Sequence, residues 1–157
     1  MKRALLVIGV LLALVALALG GIVWSMNFGG PRIRDAAPTT PPSHEQAERG
    51  AYLARAGNCM LCHTERGGAP YAGGRPVETP FGTVYASNLT PDADTGLGNW
   101  SAAHFRRALH EGRSRDGRLL YPVFPYTHFT RVTDADADAL FAYLRSTQPL
   151  PPRPKAR

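Results

Sequence analysis

Cys59-Met60-Leu61-Cys62-His63 sets two thiols three positions apart and puts an imidazole directly after the second. Residues at that separation lie on neighbouring parts of one helical turn, so each thiol can form a thioether with a vinyl group of one haem. His63 then projects towards the iron as the proximal ligand. Three other readings of the cysteine pair fit less well. A zinc site needs four ligands, and the sequence has no second cysteine pair to complete one. A thioredoxin-like dithiol should follow a buried strand of a βαβ unit, whereas this pair follows a polar helical stretch and precedes a glycine-rich one. A plain disulfide is the default for two cysteines in an exported protein, but this spacing, with a histidine next in line, points to haem.

On the N-terminal side, Ser43-His44-Glu45-Gln46 has the form of a capping box that opens a helix, and Gly57 supplies its stop just before the motif. Before it, Gly29 to Ser43 holds four prolines without apolar periodicity, which predicts an extended linker. Ala4 to Trp24 is apolar and free of charge, long enough to cross a hydrocarbon core of about 30 Å as one helix. Lys2 and Arg3 precede it and should stay on the cytoplasmic side, so the remainder should face the periplasm of a bacterial inner membrane. A cleavable signal competes with this reading, because Ala16-Leu17-Ala18 has the small-x-small form that a signal peptidase accepts. Against cleavage, the apolar run continues to Trp24, a residue type common at membrane interfaces.

On the C-terminal side, Gly67 to Gly98 is dense in Gly, Pro, Asn, Asp and Thr and reads as a long irregular wrap, with no strand longer than Thr83-Val84-Tyr85. Ser101 can cap a second helix running through Glu111 and ended by Gly112, with Phe105, Ala108 and Leu109 on one face. After the aromatic, proline-bearing stretch Gly117 to Arg131, Thr133 caps a last helix. Its first turn holds Asp134 and Asp136, and Ala137, Leu140, Phe141 and Leu144 follow at helical spacing. The predicted organisation is an anchor or uncleaved signal over 1–28, a Pro-rich linker over 29–43, a haem domain over 44–149 and a flexible basic tail over 150–157. Three short helices make a meagre apolar core, so the fold class expected is all-α, with long loops wrapped around one haem that fills the middle.

The distal side of the iron is the informative departure. Methionine is its usual ligand in haem electron carriers, but the methionines here are Met1, Met26 and Met60. The first two belong to the anchor, and Met60 is trapped between the cysteines on the proximal side. Among His44, His104, His110 and His128, the reading favours His128. It lies in Tyr121-Pro122-Val123-Phe124-Pro125-Tyr126-Thr127-His128-Phe129, a stiff loop far in sequence from His63. His104 and His110 are expected to face solvent or the haem propionates, and His44 to be exposed at a helix start.

Arg49-Gly50-Ala51-Tyr52-Leu53-Ala54, the haem motif, Gly67-Gly68-Ala69-Pro70-Tyr71-Ala72-Gly73-Gly74 and Thr79-Pro80-Phe81-Gly82-Thr83-Val84-Tyr85-Ala86-Ser87-Asn88-Leu89-Thr90-Pro91-Asp92 resemble the cytochrome c subunits of membrane-bound bacterial alcohol, gluconate and aldehyde dehydrogenases. Thr95 to Ser101 and Leu120-Tyr121-Pro122 extend the match to about residues 48 to 148. The resemblance implies a cytochrome c fold with covalently bound haem c. It also implies electron transfer from a partner dehydrogenase towards ubiquinone or a terminal oxidase, with this chain as acceptor and not as the dehydrogenase. Those subunits string three such domains together, and similar single units accompany molybdenum hydroxylases of the aldehyde and N-heterocycle type. Where the family commonly places its distal methionine, this sequence has Phe124.

Several supporting roles are expected. The ring of His63 should donate its second N–H to a backbone carbonyl, for which Pro70 is the candidate. Tyr85, Asn88 and Trp100 are candidate propionate contacts. Arg106, Arg107, Arg113, Arg115 and Arg118 cluster in sequence and could steer an acidic redox partner or neutralise propionates, or simply form a solvated face. A net charge of +6 does not imply nucleic acid, since an exported domain would not meet it and no stacking or groove-reading motif is present. The leading function is outer-sphere electron transfer. The alternatives are a haem enzyme or a gas- or peroxide-binding protein with an open sixth position, and an assembly subunit with a vestigial haem.

Overall fold

The computed structural model describes residues 2–30, 33 and 42–151. Most of the expected linker over 29–43 and of the basic tail over 150–157 lies outside these residues. The elements are α1 (Lys2–Phe28), α2 (His44–Ala56), α3 (Cys59–His63), β1 (Pro76–Thr79), β2 (Gly82–Tyr85), α4 (Ala102–Glu111), a 3-10 turn (Tyr126–His128) and α5 (Asp134–Ser146). α1 buries none of its side chains and is long and apolar enough to cross a membrane.

Local signals start and stop the helices of the domain. Ser43 accepts from the Gln46 N–H at the start of α2, and Thr133 does the same for Asp136 at α5. Each such cap is worth about 1 kcal/mol. The cap of α4 is reciprocal: the Ser101 N–H donates to His104 Nδ1 at 3.2 Å, and the His104 N–H donates to Ser101 Oγ at 3.3 Å. His104 thus serves as the third residue of a capping box and is buried, not facing solvent as expected. Gly112 ends α4 in the left-handed region, at φ 63°, which glycine adopts without strain.

α2, α4 and α5 enclose the core, built from Ala54, Tyr71, Leu97, Phe105, Leu109, Ala137, Leu140, Phe141 and Leu144. Phe105 of α4 meets Phe141 of α5 with ring centroids 5.4 Å apart. Ion pairs brace the rim: Arg106 reaches Asp138 at 2.6 Å, and Arg49 reaches Asp136 at 2.6 Å. The Arg49 guanidinium holds the Asp136 carboxyl below the usual carboxylate range.

α2 and α5 pass closest at Gly50. A Cβ there would overlap the Ala139 carbonyl oxygen and stand 2.7 Å from Tyr143 Cβ. Gly50→Ala should therefore force the helices apart. We expect a net loss of about 1–3 kcal/mol from overpacking, despite the ~1 kcal/mol that alanine gains over glycine in helix propensity. Guanidinium unfolding of the haem-loaded protein reads the difference, and a variant more stable than the parent would mean that propensity outweighs the crossing.

The wrap between α3 and α4 holds an antiparallel hairpin, with Pro76 opposite Tyr85 and Thr79 opposite Gly82. Its strands are four residues each, one longer than the Thr83 to Tyr85 run expected. Leu150 is also more tightly held than expected. Leu150, assigned to the flexible tail, accepts from Asn88 Nδ2 at 2.7 Å and from Thr90 Oγ1 at 3.1 Å.

Candidate functional site

Between α2 and the motif, Asn58 takes a left-handed conformation at φ 52°, which Asn tolerates better than most residues. This turns the chain sharply into α3, whose five residues are the motif itself. Cys59 is half-buried and packs against the core, while Cys62 is exposed; both are free thiols on one short helix. Burial pushes the Cys59 thiol above its ordinary range. Met60 lines an open hollow with Leu61, Arg66 and Arg75.

The ring of His63 donates from Nδ1 to the Ser87 carbonyl at 2.8 Å. A carbonyl only accepts, so the proton resides on Nδ1 and the Nε2 lone pair is left for a metal. Burial holds the pKa of His63 below its ordinary value, opposed in part by the Ser87 hydrogen bond. The expected kind of acceptor is present, but it is Ser87 and not Pro70. Pro70 is exposed at a turn, where its neighbour Tyr71 donates its N–H to Thr64 Oγ1.

Ser87 is held by a stitched backbone. The Gly73 N–H donates to the His63 carbonyl at 2.9 Å, the Gly74 N–H to the Ala86 carbonyl at 2.9 Å, and the Leu89 N–H to the Tyr71 carbonyl at 2.8 Å. Gly73 sits at φ 75° with the 86–88 backbone pressed against it. The paired glycines at 73 and 74 were the available signal of this close approach.

Phe124 stacks on Phe129 at 5.6 Å, and both pack against the core. A Cβ on Gly57 would lie within 4 Å of both Cys59 Sγ and the Phe129 ring, so this aromatic pair comes close to the attachment helix. His128 ends the 3-10 turn between them, with an exposed side chain. The other histidines have different employment. His104 caps α4, His110 Nε2 lies 2.9 Å from the Val132 carbonyl, and His44 stands exposed beside Glu48 at the start of α2.

The expected propionate contacts fall in two groups. Tyr85 closes β2, half exposed, and Trp100 packs against the core beside His104. Asn88 is buried and spends its amide inside the protein, donating to Thr95 Oγ1 and the Leu150 carbonyl and accepting from the Thr90 N–H. Its two N–H bonds are both used, and they tie the loop that carries Ser87 to Thr95 and Leu150. The arginines do not form a free basic patch. Arg106 pairs with Asp138, Arg118 with Asp116, and Arg107 and Arg113 donate to backbone carbonyls.

These residues fit haem c. Two free thiols stand on one turn beside an imidazole whose Nε2 meets no partner among the described residues. Half-buried Leu89, Trp100, Phe124 and Phe129 pack against the same core as Cys59, and Leu61, Tyr85, Tyr121 and Val123 stay exposed.

Comparison with known proteins agrees. Residues 47–148 match the cytochrome c family. The chain is 47% identical over 154 residues to one of the subunits of the nicotinate dehydrogenase of Pseudomonas putida, covering 95% of this chain and 13% of that protein. It is 49% identical over 96 residues to the gluconate 2-dehydrogenase cytochrome c subunit of Pantoea cypripedii, covering 61% of this chain and 22% of that protein. With the cytochrome c subunit of the quinone alcohol dehydrogenase of Gluconobacter oxydans it shares 38% over 129 residues, 82% of this chain and 25% of the relative. The chain thus spans a quarter or less of the length of each of these relatives. With the attachment helix, the oriented imidazole and a family match over nearly the whole domain, the chain belongs to the cytochrome c family, whose domain implies covalently bound haem c.

Proposed function

We propose that this chain is a membrane-anchored, periplasm-facing carrier of single electrons. It takes them from a partner dehydrogenase and hands them towards a respiratory acceptor, through one haem c. The observation that carries the reading is the His63 to Ser87 hydrogen bond, which sets the tautomer and holds the ring still. A ligand that does not move between oxidation states suits electron transfer. Cys59 and Cys62 supply the covalent attachment and His63 Nε2 the proximal ligand; the bound group supplies a one-electron Fe(III)/Fe(II) couple. Tyr85 and Trp100 are the candidate propionate contacts. Relatives named as dehydrogenase subunits support a dehydrogenase as donor. The apolar α1 supports anchoring, and Lys2 and Arg3 in its first turn support the outward orientation.

We assign the sixth position to His128, because it lies between Phe124 and Phe129, the stacked pair that comes close to the attachment helix, whereas His104 and His110 are engaged elsewhere and His44 stands at the start of α2. Two histidine ligands give a lower potential than histidine with methionine. The reduced protein should show a low-spin spectrum and bind carbon monoxide slowly or not at all. His128→Ala should convert it to rapid carbon monoxide binding with a high-spin spectrum. Rapid binding by the unaltered protein would instead favour a ligand-binding haem protein with an open site beside Phe124. An unchanged low-spin spectrum in His128→Ala would overturn the assignment of His128.

A further inference from the structure

We propose that the end of α1 and the 112–120 hairpin form a rigid joint that holds the haem domain against the lipid headgroup layer in one orientation. The inference rests on the reading of α1 as a bilayer anchor. A helix leaves its last carbonyls without partners inside the helix. At the end of α1, two of these accept from the haem domain: Met26 from Arg113 Nη2 at 3.0 Å, and Asn27 from the Leu119 N–H at 3.2 Å. Trp24 and Phe28, with ring centroids 4.5 Å apart, mark the aromatic level where a span meets headgroups. Whatever grips Met26 and Asn27 lies at that depth.

The gripping segment is itself stiff. Arg113 bridges Leu119 across the hairpin, the Ser114 N–H donates to the Arg118 carbonyl at 2.9 Å, and Arg113 Nη1 donates to the Gly117 carbonyl at 2.7 Å. Buried Arg107 bolts the hairpin to α4, donating from Nη2 to the Ser114 and Arg115 carbonyls, both at 2.9 Å. The path from α1 to the core therefore runs through hydrogen-bonded backbone. Two glycines face each other where the chains meet. A Cβ on Gly30 would lie 3.1 Å from the Gly117 carbonyl oxygen and 3.3 Å from the Arg113 side chain, while Gly117 itself sits at φ 90°. A fixed joint makes the domain present one face to the membrane and another to its partners at every encounter. The arginines of this segment, expected to steer an acidic partner, would then serve the joint.

The test uses the full-length haem-loaded protein in oriented multilayers of phosphatidylcholine and phosphatidylglycerol. Paramagnetic resonance of the ferric haem is recorded as the membrane normal is rotated in the field. The parent should show intensities that change severalfold with angle. Arg113→Gln and Gly30→Leu should flatten most of that dependence while keeping the parent's absorption spectrum and g values, which verifies an intact haem site. A parent signal independent of angle, or two variants that keep the full dependence, overturns the joint. An alkaline carbonate wash of the same membranes separates the two readings. Protein released by the wash, or recovered without α1, defeats the anchor and the joint together, whereas retained protein with no angular dependence defeats the joint alone.

Discussion

Replacing Cys59 and Cys62 together with alanine is expected to remove covalent haem completely and to leave the domain unfolded. The buried apolar cluster contains only nine of the described residues, two of them alanines, while Leu61, Tyr85, Tyr121 and Val123 stay exposed. Ordering a chain costs about 1–2 kcal/mol per residue in backbone entropy, and domains survive by a net margin of only ~0.05–0.15 kcal/mol per residue. A ligand held by the native state alone adds its binding free energy to that margin. Removing the attachment removes that contribution. Expressed in a host able to mature c-type cytochromes, the double variant should give no haem-stained band on a denaturing gel and should lose most of its helical circular dichroism. A band that survives denaturation would mean that haem is bound elsewhere. The single variants should differ: Cys59→Ala also strips a half-buried side chain from the core, so it should be less stable than Cys62→Ala, which alters an exposed position.

How much of this was readable beforehand depends on how local each cause is. The helices α2, α4 and α5 announce themselves through Ser43, Ser101 and Thr133, because a cap needs only a side chain and the N–H groups two or three residues on. The motif is equally local. The hairpin was harder to read, since Pro76-Val77-Glu78-Thr79 has a proline and no clean alternation, and its pairing depends on partners further along the chain. The acceptor for His63 was not readable at residue level. Every residue owns a carbonyl, and the one used lies 24 positions away, so sequence specified the need for Ser87 without its address. The partners of Asn88, Arg107 and Arg113 were unreadable for a related reason. The polar atoms of these side chains are satisfied by the backbone of Leu150, Ser114 and Met26, groups that composition does not reveal.

Gly73→Ala should damage the site without touching a ligand. The residue lies between the two strands of backbone that matter: its N–H donates to the His63 carbonyl, and its carbonyl accepts from the Glu65 N–H at 3.2 Å. A Cβ would stand 2.7 Å from Ala86 O, Ser87 C and Asn88 N, none of which belongs to a flexible side chain. The left-handed conformation at φ 75° adds strain of roughly 1–2 kcal/mol, and the overlap about 1–3 kcal/mol more. The Ser87 segment must therefore retreat, and the Nδ1 hydrogen bond lengthens or breaks. That bond raises the basicity of the imidazole and so favours the ferric state. Its loss should raise the reduction potential by tens of millivolts, ~59 mV for each tenfold loss of ligand affinity confined to the oxidised form. Gly67→Ala supplies the control, because Gly67 has a similar φ of 68° yet a Cβ there meets nothing within 4 Å. It should lose stability from backbone strain and keep the parent's potential. Spectroelectrochemical titration of both variants decides the matter: equal potentials in Gly73→Ala and the parent would mean that the Ser87 carbonyl does not tune the iron.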